Sequence, residues 1–363
     1  MSRIFVTGGS GRLGRSVVAG LADAGHKVIS VDRDAIPAEQ LPAGAEQHTA
    51  DLLAPGEAER LIRETAPDAV IHLAAIAVPF SAPEDVIFST NTRLAYAVVS
   101  AATDAGVPKI VTASSPTALG YGSPAGWLPP SFPLDEQTPP KPWNAYALSK
   151  LIAEQTVQMF AAAQGDRIRY AAFRPCYVLS PEEWEGALTQ QGHTIRERLD
   201  DPSLSAPALF NYVDARDVAD FLDVLLEKMD SIPNGQVFFV GAKDALATAP
   251  LSELFPRFLP GSGPLTEHLT GTSPAFAIDK ARELLGWEPK RSWRTELAPP
   301  YEGADTAASE QAALNEQAAL NGAAPNGATP NGATLNQAAL NQAALNDENP
   351  AGLVPAGATK ETP

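Results

Sequence analysis

The sequence contains a single cysteine, Cys176, and no long apolar run. One cysteine excludes both an intrachain disulfide framework and a cysteine-rich zinc site, and we predict no set of metal ligands. Every apolar run falls short of the roughly 20 residues that a membrane-spanning helix requires. The first residues, MSRIFVTGG, begin directly with a strand pattern instead of an apolar segment and a cleavage site. We therefore expect no signal peptide, no membrane partner and a cytoplasmic location.

Cations are scarce as well. The 363 residues hold 26 Lys and Arg against 43 Asp and Glu, which gives a formal net charge of −17. Such an acidic chain has no general electrostatic attraction for nucleic acid or for an anionic membrane, so we expect neither as a partner. A small molecule remains the expected partner, because local basic sites can still hold a phosphate.

Residues 1–175 alternate short apolar runs with longer helical patterns. Runs of four to six residues suit strands that are buried on both faces of a parallel sheet. The predicted strands are 3–7, 27–31, 69–73, 109–113 and 168–173, and the helical stretches between them include 12–24, 55–65 and 83–105. This order predicts right-handed βαβ units and an α/β fold with a doubly wound parallel sheet.

Residues 176–300 lose this regularity. Helices at 218–229 and 279–285 and a strand at 236–240 predict a smaller, partly helical lobe, partly interleaved with the sheet. Ligands bind outside the carboxyl ends of parallel strands, so we expect the lobe to wall that crevice. Residues 301–363 repeat Ala, Asn, Gly and Pro, and we expect a disordered tail, rather than a pentapeptide β-helix, whose removal leaves activity intact.

A glycine motif, TGGSGRLG at residues 7–14, lies between the first predicted strand and the first predicted helix. Gly8, Gly11 and Gly14 are spaced three apart, which differs by one residue from the G-x-G-x-x-G fingerprint. Glycines here permit a tight turn and let the backbone approach a pyrophosphate that rests on the helix N-terminus. This position makes the motif a strong indication of dinucleotide binding.

Asp32 ends the second strand, 18 residues beyond Gly14. A carboxylate there accepts hydrogen bonds from the adenosine ribose and repels a 2′-phosphate, which favours NAD. Arg33 follows at once and would attract that phosphate, so NADP remains the alternative. Asp51 and Leu52, which lie between the predicted strand at 27–31 and the helical stretch at 55–65, are placed to touch adenine.

Tyr146 and Lys150 lie four residues apart and therefore share one helix face. A free phenol titrates near pH 10, and a neighbouring ammonium together with a cationic nicotinamide favours the phenolate. Tyr146 can then accept a proton from an alcohol as hydride leaves its carbon. Ser114 and Ser115 follow the predicted strand at 109–113, on the nicotinamide side, where a hydroxyl can hold the substrate oxygen.

These motifs, together with HLAA at 72–75, Arg174-Pro175 and a segment near 279–289, resemble the extended short-chain dehydrogenase/reductase family. This is the NAD-dependent epimerase/dehydratase group, and the resemblance covers about residues 3–295. It implies a Rossmann domain, a nicotinamide cofactor and a catalytic set of Ser115, Tyr146 and Lys150. Ser115 is preferred to Ser114 for its spacing from Gly120. Two long helices, about 84–105 and 144–164, would pair across a homodimer.

The cofactor-binding residues predicted on this basis are numerous. They are Gly8, Gly11, Arg12, Leu13, Gly14, Asp32, Arg33, Asp51, Leu52, Leu73, Ala74, Ala75, Asn91, Tyr146, Lys150 and Pro175. The predicted substrate-binding residues are Ser115, Pro116, Thr117 and Tyr177.

The departures from the family pattern bear on the substrate. Nucleotide-sugar members usually carry an Asn after Arg-Pro and an Arg-Asp pair before Tyr-Val, and that Arg binds diphosphate. Here Tyr177 and Ser180 stand in the first stretch and Phe210-Asn211 precedes Tyr212, while Asp214 adds negative charge. Burying a diphosphate without cations is costly, so we expect a smaller sugar-like substrate.

Three functions remain open. The first is a dehydrogenase that oxidises a carbinol of a free sugar, a sugar acid or a similar polyol. The second is a sugar epimerase or dehydratase that recycles a tightly bound NAD. The third is a cofactor-binding sensor, against which the intact Tyr146 and Lys150 weigh. Cys176 is expected to be a buried small hydrophobe rather than a nucleophile.

Overall fold

The computed structural model describes residues 1–301, so all of the predicted tail except Tyr301 lies outside the described residues. The strands are β1 (Arg3–Thr7), β2 (Lys27–Asp32), β3 (Ala45–Thr49), β4 (Ala69–His72), β5 (Lys109–Ala113), β6 (Arg169–Pro175), β7 (Val178–Leu179), β8 (Val213–Asp214) and β9 (Gln236–Val240). The helices are α1 (Arg12–Asp23), α2 (Glu57–Thr65), α3 (Glu84–Asp104), α4 (Ala145–Gln164), α5 (Pro181–Trp184), α6 (Ile195–Asp200), α7 (Ala215–Lys228), α8 (Leu251–Phe258), α9 (Gly263–Thr266), α10 (Asp279–Leu285) and α11 (Trp293–Glu296).

Seven strands form one parallel sheet in the order β3-β2-β1-β4-β5-β6-β9. The order reverses between β1 and β4, which is the switch point where doubly wound sheets bind their ligands. The register aligns the ends of three strands there, because Thr7 pairs with Val31 on β2 and with His72 on β4. The predicted doubly wound Rossmann-type sheet is therefore confirmed.

Successive residues of the central strand β1 enter two different cores. Ile4 and Val6 pack on the face covered by α1 and α7, whereas Phe5 packs on the face covered by α2 and α3. All three side chains are fully buried. Burying each contributes about 1.5–3 kcal/mol, which explains why the strand is an unbroken apolar run.

Element bounds follow the sequence pattern closely, because most strands and helices bury an apolar face. β3 differs, since its sequence AEQHT is largely polar. It is an edge strand of the sheet and, within residues 1–301, pairs only with β2, so it needs no second apolar neighbour. β9 joins the sheet beside β6, although it follows residue 176 in the chain.

A third cluster of apolar side chains belongs to the segment after β6. Trp184, Leu199, Tyr212 and Trp293 pack together in it, beside the two-stranded ladder of β7 and β8. The cluster places α5, α6 and α11 on the carboxyl-end side of β6, from which the chain enters this segment. Among the described residues, no helix is long and apolar enough to cross a membrane.

Candidate active site

The glycine loop connects β1 to α1 at the switch point. Gly8 has a φ of +73°, and a Cβ on it would lie 2.7 Å from the backbone nitrogen of Ala74. A Cβ on Gly14 would collide with the carbonyl oxygen of Gly8. Gly11 precedes α1 without capping it through a side chain, so the N–H groups of the first turn, from Arg12 and Leu13 onward, remain available to an anion. The loop therefore fits a dinucleotide pyrophosphate.

Asp32 lies beside this loop at the end of β2. Its carboxylate accepts hydrogen bonds from the backbone N–H of Ser10, at 3.0 Å, and of Arg33, at 2.7 Å. The Arg33 side chain is exposed, so it is free to reach solvent or a ligand. Asp51 is also exposed, whereas Leu52 is buried. The structure thus brings the predicted adenosine-side residues to the same edge of the sheet.

Thr7 organises the ends of β1 and β4. Its hydroxyl oxygen accepts the N–H groups of Leu73, at 3.1 Å, and of Ala74, at 3.2 Å. The hydroxyl proton then points to Nδ1 of His72, 2.8 Å away, so His72 carries its own proton on Nε2. Burial, aided by the positive charge of Lys150, lowers the pKa of His72 to about 3. His72 is a neutral structural residue behind the crevice.

Asn91, on α3, fixes the loop after β4. Its side chain accepts the N–H of Ile76 at 2.8 Å and donates to the carbonyl of Ile76 at 3.1 Å. It also donates to the Ser149 hydroxyl on α4, at 3.1 Å. These bonds place the half-buried Leu73-Ala74-Ala75 stretch, and they occupy the Asn91 amide that was predicted to touch the cofactor.

Tyr146 and Lys150 lie one turn apart at the start of α4, whose N-cap Asn144 accepts the N–H of Ala147. The Lys150 ammonium donates to the carbonyl of Ala113 at 3.2 Å and lies 5.7 Å from the centroid of the Tyr146 ring. Burial raises the pKa of Tyr146 to about 12, against an opposing hydrogen bond from Ser115, and lowers the pKa of Lys150 to about 8. Desolvation of the phenol thus outweighs the effect of its hydrogen bond with Ser115 on the Tyr146 pKa.

The two serines after β5 point to different partners. Ser114 donates to the Glu154 carboxylate at 2.5 Å, and Glu154 forms two hydrogen bonds with the Arg174 guanidinium, at 2.7 and 2.8 Å. Ser115 instead interacts with Tyr146. The geometry therefore agrees with Ser115 as the site serine. Sequence reasoning missed Glu154, although its position four residues beyond Lys150 places it on the same helix face.

The substrate side of Tyr146 holds further polar groups. Thr117 donates its hydroxyl to Ser115 at 2.9 Å, just after the buried Pro116. Asn211 accepts the backbone N–H of Tyr177 at 2.7 Å. Asn211 also hydrogen-bonds the phenol of Tyr121, whose pKa is raised by burial and by its neighbours Cys176 and Tyr146. Tyr121 was missed, because nothing in its sequence context distinguishes it from a core tyrosine.

Asp214 does not add a free negative charge to the pocket, and that expectation is wrong. Its side chain is fully buried and accepts two hydrogen bonds from the Arg216 guanidinium, at 2.9 and 2.5 Å. A third comes from the indole of Trp184, at 2.7 Å. Arg216 therefore neutralises the charge of the Asp214 carboxylate at the start of α7, and Asp214 has a structural role.

Arg12 links the glycine loop to the second half of the chain. Its guanidinium pairs with Glu183, a buried carboxylate at the start of α5. Glu183 also accepts the N–H of Ser180, at 2.6 Å.

Pro175 ends β6 beside this region, and the next residue, Cys176, is buried with its pKa raised by desolvation. The buried thiol agrees with the prediction that Cys176 is not a nucleophile.

Comparison with known proteins places this geometry in a family. Residues 4–241 match the NAD dependent epimerase/dehydratase family. A UDP-glucose 4-epimerase from Azospirillum brasilense is 35% identical over 173 residues, which are 46% of this chain and 46% of that protein. A 2′-dehydrokanamycin reductase from Streptomyces kanamyceticus is 35% identical over 156 residues, which are 43% of this chain and 38% of that protein. The chain thus spans less than half the length of these two relatives.

Solved structures agree on the fold. A UDP-glucose 4-epimerase from Thermotoga maritima superposes with a TM-score of 0.60 at 24% identity, covering 86% of this chain and 99% of that one. Family membership confirms NAD as the expected cofactor and is compatible with both the dehydrogenase and the epimerase hypotheses. The chain belongs to the NAD dependent epimerase/dehydratase family, as the motifs predicted.

Proposed function

We propose that the protein is an NAD-dependent dehydrogenase that oxidises a carbinol of a free sugar, a sugar acid or a similar small polyol. The observation that carries this proposal is the convergence of Ser115, Tyr146 and Lys150 at the carboxyl end of β5, beside the glycine loop. A phenol, a hydroxyl and an ammonium in this arrangement suit proton removal from an alcohol.

In this mechanism Tyr146 is the base. Ser115 holds the substrate hydroxyl, and the proton of that hydroxyl passes to the Tyr146 oxygen as the carbinol becomes a carbonyl. NAD, when bound, accepts the hydride and brings a positive charge to the site. Because burial holds the pKa of Tyr146 at about 12, the phenolate depends on nearby positive charge, which Lys150 supplies. Oxidation should therefore become faster as the pH rises towards about 8, the pKa at which Lys150 itself loses its proton.

The lobe supports a small substrate rather than a nucleotide sugar. The buried Phe210 stands where nucleotide-sugar relatives carry the arginine that binds diphosphate. The amide of the next residue, Asn211, is tied to the backbone of Tyr177 and of Ala208. Asp214 already holds the nearby cation Arg216. A diphosphate bound there would therefore lose its hydration without gaining cationic partners, which is energetically unfavourable.

The test is the absorbance of NADH at 340 nm with purified protein, NAD or NADP, and a panel of free sugars, uronic acids, polyols and UDP-sugars. We expect NADH to form with NAD and one class of free sugar or sugar acid. Tyr146→Phe should lower kcat by about 10²- to 10⁴-fold while leaving the melting temperature nearly unchanged. A flat trace with the wild-type protein across the whole panel would refute a dehydrogenase.

A second candidate is an epimerase, favoured by the similarity to UDP-glucose 4-epimerases. Such an enzyme returns the hydride to the other face of the sugar, so no NADH accumulates. Conversion of UDP-glucose to UDP-galactose, with NAD released only on denaturation, would establish it.

We also propose that α3 and α4 pair with the same helices of a second copy. Tyr96 and Met159 are 54% and 48% exposed on these helices. A cavity of about 520 Å³ lies beside them, lined by residues 52–56, Glu59, Thr92, Tyr96 and Thr156 among others. Light scattering should give twice the chain mass, and Tyr96→Glu should give the monomer mass. A monomeric wild-type protein would contradict the pairing.

A further inference from the structure

Arg198, on α6, is a buried cation without a carboxylate partner among residues 1–301. The residue is 1% exposed. Its Nη1 donates to the side-chain oxygen of Gln191 at 2.5 Å. Its Nε and Nη2 are shielded from solvent and have no hydrogen-bond partner. Two donors of a charged group are thus buried and unused.

This arrangement differs from that of two other guanidinium groups in residues 1–301, one buried and one half-buried. Arg174 pairs with Glu154, and Arg291 pairs with Asp217 at 2.7 Å. An unpaired buried charge is strongly unfavourable, since a guanidinium cannot lose its proton to escape the cost. The burial of Arg198 lowers its pKa, and the phenol of Tyr177 and the carboxylate of Glu183 only partly oppose this. Within residues 1–301, the Arg198 guanidinium therefore lacks a paired anion.

Arg198 lies close to the candidate active site. Its guanidinium stacks 4.5 Å above the ring of Tyr177, the second residue after β6. The Tyr177 hydroxyl is also buried without a partner. Through its backbone Tyr177 contacts Asn211, which reaches Tyr121 and thereby the neighbourhood of Tyr146. A ligand held by Arg198 would thus extend towards the proposed base.

We propose that Arg198 binds the carboxylate of the substrate, which makes the substrate a sugar acid. This inference rests on the proposed dehydrogenase function. Nε and Nη2 form one edge of the guanidinium, and their parallel N–H bonds match the two oxygens of a carboxylate. The Tyr177 hydroxyl supplies a further donor. One guanidinium balances the single charge of a carboxylate, whereas a diphosphate would need more cations.

The unpartnered atoms are closed to solvent, so the carboxylate must enter when the segment before α6 moves. Gly186 and Gly192 lie in this segment, and both have positive φ. Thr189, between them, has a buried hydroxyl without a partner. The same turn carries Gln191, the residue that orients the guanidinium.

The test compares Arg198→Met with Arg196→Met, which removes a half-buried guanidinium that donates to the carbonyl of Pro299 from the same helix. The substrates are glucuronate and galacturonate against glucose and galactose, with NAD. For Arg198→Met we expect KM for the preferred uronate to rise by at least about 30-fold, as for other buried charge partners. The Arg196 variant and the KM for NAD should stay as in the wild type. Uronate oxidation by Arg198→Met at wild-type KM would overturn the proposal.

A second readout separates binding from turnover. With NAD present, a uronate should raise the melting temperature of the wild-type protein but not that of Arg198→Met. Without any sugar, Arg198→Met should melt no lower than the wild type, because an uncompensated buried charge has been removed. A large drop in its melting temperature would indicate a structural cation instead.

The outcomes distinguish the two proposals. If the wild type oxidises only neutral sugars, the carboxylate site fails and the dehydrogenase stands. If no substrate yields NADH but a uronate stabilises the wild type and not Arg198→Met, the anion site stands and the dehydrogenase fails. Stronger stabilisation by glucose 1-phosphate or UDP-glucose than by either uronate would refute the carboxylate assignment.

Discussion

Acid should destabilise this protein through His72. The imidazole is buried at the end of β4, and its Nδ1 accepts the hydroxyl proton of Thr7. Protonation of Nδ1 would break that bond and place a charge in an apolar site near Lys150. The pKa of His72 therefore falls to about 3 in the folded chain, from an ordinary value of about 6.5.

The sign and size of the effect follow from these two pKa values. Between pH 6.5 and about 3 the unfolded chain binds one proton more than the folded chain, so stability falls as the pH falls through that range. From pH 7 to pH 5 the loss is about 2 kcal/mol. Only the pKa of His72 in the unfolded chain determines this loss, because pH 5 lies above the pKa of His72 in the folded chain.

The assay is urea unfolding at pH 7 and pH 5, with two variants. His72→Asn retains an acceptor for Thr7 but cannot be protonated, so it should lose about 2 kcal/mol less between the two pH values than the wild type. His48→Asn changes an exposed histidine on the edge strand β3 and should behave like the wild type. Equal losses for the wild type and His72→Asn would refute a neutral buried imidazole.

Three other variants test separate parts of the site. Gly14→Ala should abolish NAD binding, measured by calorimetry, because its Cβ would collide with the Gly8 carbonyl; Gly263→Ala, whose Cβ would meet no atom closer than 4.0 Å, should bind NAD normally. Glu154→Gln leaves Arg174 as an unpaired buried charge and should lower the free energy of unfolding by about 3–5 kcal/mol in urea, whereas Glu57→Gln, whose partner Arg60 is exposed, should leave it nearly unchanged. Asp32→Ala removes a charged acceptor at the expected ribose position, so affinity for NAD should fall about 10- to 100-fold and preference should shift towards NADP; an unchanged Kd for NAD would contradict that role.

The sheet was predictable because its central strands are buried on both faces. Each such strand is a short apolar run, and the structure places β1, β5 and β9 at the residues that the pattern indicates. The polar edge strand β3 left no such run. The doubly wound order then places the glycine loop, Asp32 and the Tyr146 helix at one crevice, as their chain positions imply.

The substrate side was less predictable, because burial and pairing there depend on contacts between distant segments. The partner of Asp214, Arg216, lies only two residues further along the sequence, yet the charge of Asp214 was expected to face the pocket. The unpaired state of Arg198 is visible only once α6 packs against Tyr177. No spacing rule in a single sequence distinguishes an exposed helical arginine from a buried one.

The core on one face of the sheet has a consequence for how this protein can acquire new substrates. One continuous apolar cluster joins Ile4 on β1 to Phe221 on α7 and to Phe255 and Trp287 farther along the chain. The segment after β6, which we propose selects the substrate, also completes the interior around the β1 and α1 part of the chain. Neither can therefore be exchanged as a module without exposing the other. Changes of specificity must therefore arise in the loops around the crevice, where side chains can vary while the shared interior keeps its shape.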